Sequence, residues 1–128
     1  MLDIEQQLSQ QLSQIMGIDV LSYVSDDDAF ERITDSGKGL VMYSSSVVKQ
    51  EGSSASSLLK TTYRQIAIDV ILVAPKANVL SDLIERVYQS IDVVQLTGYR
   101  KLEIVADRLD GVFQGLHNGS VSLTAIKA

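Results

Sequence analysis

A chain of 128 residues with sixteen acidic and eleven basic side chains, net charge −5, is the size of one domain and carries the wrong sign for gripping phosphate. At 45% apolar and 21% charged residues, it is neither disordered nor membrane-embedded in composition. No cysteine and a single histidine exclude disulfides, thiolate metal sites, a cysteine nucleophile and any multi-histidine metal site.

The longest apolar run, residues 70–74, is far short of the about 20 residues a membrane-crossing helix needs. Residues 1–5 have neither the basic nor the apolar region of a signal, so the expectation is a cytoplasmic origin and no membrane partner.

In chain order, Ile4, Leu8, Leu12, Ile15 and Met16 fall on one stripe of a helix over 3–16. Asp3 and Gln6 resemble a capping box, and Gly17 suits the helix exit. The repeated Gln-Leu-Ser-Gln of this segment reads as a solvated helix side, or as a face that meets a neighbouring subunit. Residues 18–25, rich in β-branched and aromatic side chains, predict a strand.

Asp26, Asp27 and Asp28 then open a short helix over 29–33, where acids favour the N-terminal dipole. A turn at 34–39 leads to a strand over 40–46 that continues toward 48. Gly52, Ser53, Ser54, Ala55, Ser56 and Ser57 form a Ser/Gly loop with little to bury, expected to project from the domain.

The strongest strand covers 61–74. Ile66, Ile68, Val70 and Leu72 face one way; Ala67, Ile71 and Val73 face the other. Asp69 interrupts the second face. It reads as an interface residue or a partner of Arg64 or Lys101, with a chemical role as the competing reading.

After Pro75, Asn78 is placed to cap a helix over 79–91, and Gly98 marks the exit of that region. A strand over 99–106, a turn at 107–111, a short strand at Val112-Phe113, a tight turn at Asn118-Gly119 and a final strand over 120–127 complete the chain. The expected architecture is α+β: a mostly antiparallel sheet with two helices packed on one face.

Searches for catalytic motifs fail on specific residues. A phosphate loop would need Ser or Thr where Gly39 follows Gly37-Lys38, and a glycine where Arg32 stands. A calcium loop counted from Asp26 would have Glu31 in its sixth place and Gly37 in its twelfth, the reverse of what it needs. His117, beside the expected turn, reads as a turn histidine rather than a triad base. These failures predict a non-enzyme that needs no cofactor or metal, with a small carboxylate-dependent enzyme as the minority alternative.

The order of these segments resembles the phage tail terminator group, which includes the lambda tail terminator and Mu-like prophage tail-completion proteins. Four pieces carry the resemblance: the helix through Ile4 and Met16 running into Ile18-Asp19-Val20; the strand Gly39-Leu40-Val41-Met42-Tyr43-Ser44 before a polar loop; the strand from Tyr63 to Val73 with the helix of Leu80 and Ile91; and the strand Val121-Ser122-Leu123-Thr124-Ala125-Ile126. The resemblance implies a hexameric homo-oligomer, a ring on the tail tube. It would stop tube polymerisation and meet both the tail tube protein and the head-tail connector protein, without specific nucleic-acid binding. It implies residence in the virion tail, and in the host cytoplasm during assembly. Under that resemblance, residues 52–57 would face the channel or the tube, and Asp69 with Arg64 would lie at an interface. An adaptor, neck or baseplate component that forms no ring is the alternative.

Overall fold

The computed structural model describes residues 2–23, 28–51 and 61–127. The elements are α1 (Leu2–Met16), β1 (Val20–Ser22), α2 (Ala29–Ser36), β2 (Gly39–Glu51), β3 (Thr61–Ala74), α3 (Ala77–Ile91), β4 (Tyr99–Phe113) and β5 (Leu116–Lys127). The strands form one five-stranded sheet in the order β1-β2-β3-β5-β4. The fold is α+β.

The sheet is mostly antiparallel and two helices share one face, as expected, but two features add to that architecture. First, β1 runs parallel to β2, with Val20 opposite Leu40, while the other three pairings are antiparallel. α2 lies between β1 and β2 in the chain, and a helical crossover brings the chain back to start its next strand in the same direction. Second, the helices are not all on one face. α1 and α3 pack on the face formed by Ile66, Ile68, Val70 and Leu72, whereas α2 places Ala29 and Ile33 against Val41 and Val73 on the other.

Strand β3 explains the layering. Its register sets Ile68 between Ser44 of β2 and Leu123 of β5, and Val70 between Met42 and Val121. On this face Ile66, Ile68, Val70 and Leu72 are all buried. The stripe of α1, Ile4, Leu8, Leu12 and Met16, covers one part of the face; Leu80, Leu83 and Val87 of α3 belong to the same core. Ile15, included in the stripe on spacing alone, is exposed.

The glutamine repeat of α1 divides in two: Gln6, Gln10 and Gln14 are exposed, as a solvated side requires, whereas Gln7 and Gln11 are half-buried and engaged within the fold. Gln7 exchanges two hydrogen bonds with the backbone of Thr97, at 3.0 and 2.7 Å. Gln11 does the same with Gln95, at 2.6 and 2.9 Å. An amide side chain sets an N–H donor beside a carbonyl acceptor, so two glutamines one helical turn apart hold an extended segment as a strand partner would. The segment they hold connects α3 to β4. Arg86 of α3 donates to the carbonyl of Met16, satisfying an orphan acceptor at the end of α1.

Several boundaries move. β1 is shorter than the expected 18–25, and α2 runs to Ser36 before Gly37 donates back to Ile33 and Thr34. α3 begins at Ala77 with Lys76 at its N-cap, so Asn78 lies inside the first turn and does not cap. The largest change is in the last hairpin. β4 is one strand through Phe113 with register shifts, replacing the expected turn at 107–111, and its loop is Gln114-Gly115, with φ of 53° and 77°. Two consecutive left-handed residues match the twist of a tight hairpin.

Asn118-Gly119 is therefore inside β5, where Gly119 serves close approach: a Cβ there would sit 2.9 Å from the Arg108 carbonyl oxygen. His117 is likewise in a strand, opposite Ala74, and not in a turn.

Ile68→Asp is expected to lower unfolding free energy by about 3 kcal/mol or more, since it strands a charge in the core, and chemical denaturation measures this. Replacing both Gln7 and Gln11 by alanine should cost about 2 kcal/mol and speed amide exchange at Gln95 and Thr97 while leaving β3 protected.

Candidate functional site

The least covered part of the described fold is β4. It is an edge strand, paired only with β5. From Val105 to Gly115 every residue is exposed, including Val105 at 62%, Leu109 at 67%, Val112 at 64% and Phe113 at 55%. Four large apolar side chains on about nine residues of an unpaired edge are more than scattered surface apolarity. The pairing shows where they point. Leu109 and Val112 pair with Gly119 and His117, on the face that carries α1 and α3; Phe113 pairs with Leu116, on the opposite face. Arg108 and Asp110 form an exposed ion pair at 2.6 Å beside them.

The register shifts of β4 fall between Tyr99 and Leu102, between Ile104 and Ala106, and between Leu109 and Gly111. Each extra residue twists the strand and interrupts its row of backbone groups. An edge interrupted in this way resists indiscriminate strand addition while leaving its side chains available. At the other side of the sheet, β1 pairs only Leu40, Val41 and Met42 of β2. Among the described residues, no strand covers the outer edge of β2 over 43–51.

Polar side chains inside the domain are partnered. Glu5 of α1 is 1% exposed and accepts from Ser22 Oγ at 2.6 Å and from Ser44 Oγ. These bonds tie α1 to β1 and β2 and give the buried carboxylate the charge-assisted partners it needs. On the opposite face Tyr23 and Tyr43 stack with ring centroids 4.3 Å apart. Burial pushes the Tyr43 phenol well above the usual range, and its hydrogen bond to Tyr23 and the Tyr23 charge push it further. The Tyr88 phenol is also raised, first because its hydroxyl donates to Asp107, and also by the nearby carboxylates of Asp107 and Glu85.

Of the residues singled out from the sequence, Asp69 and Arg64 are described, and they do not come together. Asp69 is exposed on the face opposite α1 and α3, and accepts from Ser122 at 2.9 Å. Arg64 is an odd number of residues away on the same strand and so points to the other face, where it donates to Ser46 at 3.2 Å. The expected Asp69–Arg64 pairing is thus geometrically excluded, and Asp69 is not buried. Gly52, Ser53, Ser54, Ala55, Ser56 and Ser57 lie outside the described residues, as do Asp26 and Asp27. Among the described residues, no three His, Cys, Asp or Glu side chains are grouped to hold a metal ion, and no helix is long and apolar enough to cross a membrane.

The β4 surface and the glutamine clamp were not singled out from the sequence. Apolar residues of β4 occur at both even and odd positions, because the bulges change the phase, so simple alternation does not reveal the strand. No protein-family model matches this chain, and no curated protein matches it.

The raised phenols set the alkaline behaviour. Tyr43 keeps its proton longer when folded, so its contribution is fully present below the ordinary pKa of 10.0 and is lost as pH rises through the higher folded value. The unfolding midpoint should therefore fall above that pH, and fall less in Tyr43→Phe. Phenolate absorbance should show Tyr43 and Tyr88 ionising after an ordinary tyrosine.

Proposed function

We propose that this chain is a structural, self-assembling component of a phage or prophage tail: a terminator that closes into a ring of about six copies on the end of the tail tube. The observation that carries the reading is the outer half of β4, where Leu109, Val112 and Phe113 are all more than half exposed on an edge strand. An apolar edge of this kind is stable in solution when a partner covers it.

A closed ring of one chain needs two different surfaces that fit each other. The outer half of β4 lies on one side of the sheet and the uncovered edge of β2 on the other, in the arrangement a head-to-tail contact requires. The net charge of −5 adds support, since an acidic wall repels phosphate and lets DNA pass without holding it. In this reading the ring blocks further tube subunits and offers its free side to the head-tail connector. It works by shape and contact, and no catalytic step is assigned. The same proposal places residues 52–57 toward the channel or tube, and places the protein in the virion tail after assembly in the host cytoplasm. An adaptor without ring formation differs in one measurable respect, because it stays a small species at every concentration.

Light scattering on the purified chain, across concentration and with tail tube ends added, tests the reading. The expected result is a species of about six 14.0 kDa protomers. Phe113→Ser and Leu109→Ser, both exposed and so tolerable to the fold, should shift it to monomer. A wild-type chain that stays monomeric in every condition, tube ends included, overturns the ring.

A further inference from the structure

The face that carries α1 and α3 is wider than its helices. Packed helices lie about 10 Å apart and strands about 4.8 Å, so two helices cover about four strands. Here the sheet has five, and the least covered is β4, which lies along the flank of α3. Its residues Leu102 and Ile104 point to the helix side but remain only half-buried. Between them and the last turns of α3 is an open groove of about 500 Å³, with Ile91, Leu102 and Ile104 among its lining.

The rim of this groove is mostly acidic, with Arg100 as a basic residue beside Leu102 at one end. Counting at 100° per residue, Tyr88, Glu85 and Asp92 lie on the flank of α3 toward β4, and Tyr88 reaches across to Asp107. Glu85, Asp92 and Asp107 are all exposed. Arg86, the one basic residue of α3, is turned the other way, onto Met16.

We propose that this groove receives a basic amphipathic helix from a different protein. An apolar floor takes the apolar stripe of such a helix, and the carboxylates take lysine or arginine on its flank. A second copy of this chain is poorly suited. α1 has no lysine or arginine, while α2 and α3 each have one arginine against two acids. The helices of a copy would bring more negative charge to an acidic rim. The span from Leu102 to Asp107, at about 3.3 Å per residue, matches a helix of about 11 residues. This proposal does not depend on ring formation, which uses the farther half of β4.

The probe is a synthetic helical peptide of about 18 residues made of leucine and lysine, with leucines at i, i+3, i+4 and i+7, beside a counterpart with glutamate for lysine. Each is titrated into the full chain by fluorescence anisotropy at low and high salt. The lysine peptide is expected to bind one per chain and weaken with salt, and the glutamate peptide not to bind. Glu85→Gln with Asp92→Asn should weaken binding about tenfold, while Glu31→Gln with Asp35→Asn on α2, an equal charge change, should alter it less than about twofold. Ile104→Gln, checked for folding by circular dichroism, should weaken binding at unchanged charge. Equal losses in both double variants would mean only general attraction to an acidic chain and would overturn the proposal. So would no binding, or self-association that competes with the peptide. The Phe113→Ser mass measurement reports on the ring separately, so either reading can fail alone.

Discussion

A strand that is apolar on both sides, as residues 66–74 of β3 are, is stable only where other material lies over each side. That requirement sets the layer order of this domain. The side bearing Ile66, Ile68, Val70 and Leu72 takes two long helices. Among the described residues, the side bearing Ala67, Ile71 and Val73 takes the short α2 alone, placed at the end where Val41 and Val73 lie. The half of that side beyond α2 carries Ala67, Asp69, Ser122 and Thr124, small or polar residues that tolerate partial solvation. The two sides of one strand thus divide the molecule into a thick core and a thin one.

The same requirement determines what is left bare. With α1 seated over β1 and β2 and α3 over β3 and β5, β4 only flanks α3, and no other helix among the described residues lies over it. This strand then holds its place through β5 alone for most of its length, helped by the Tyr88–Asp107 bond. Its approach is secured from a distance by Gln7 and Gln11, which fix the segment leading into it. A well-held strand with exposed apolar side chains differs from a frayed one: the surface is presented in a defined geometry, which lowers the ordering cost when a partner covers it. The proposed assembly through the far half and the proposed docking along the near half both rest on this one feature, an edge strand at the margin of its helical cover.

Acidity is distributed in keeping with that division. Glu5 is inside and satisfied by serine hydroxyls, where it joins α1 to the first two strands. Glu85, Asp92 and Asp107 are outside, on the border of the groove beside β4. The first contributes to the geometry of the fold. The second set biases which partners can approach, and does so more strongly at low salt.

The order of helices and strands, the α1 stripe except Ile15, and the two-faced character of β3 were legible in the amino-acid sequence, because each rests on a periodicity within one segment. The side of the sheet taken by α2 was not, since an amphipathic helix shows that it has an apolar face but not which surface it meets. The parallel β1 escaped for the same reason: strand direction belongs to a pair. Asn118-Gly119 reads locally as a turn, yet pairing with Leu72 and Val73 holds it in a strand and moves the loop to Gln114-Gly115. Gln7 and Gln11 look solvated until a segment about ninety residues away is brought to them. Sequence alone therefore determined the order of regular segments and the apolar faces of α1, β3 and α3, but not the extent of the last hairpin. Only the tertiary structure decided which of those faces remain uncovered, because coverage is a relation between elements distant in the chain.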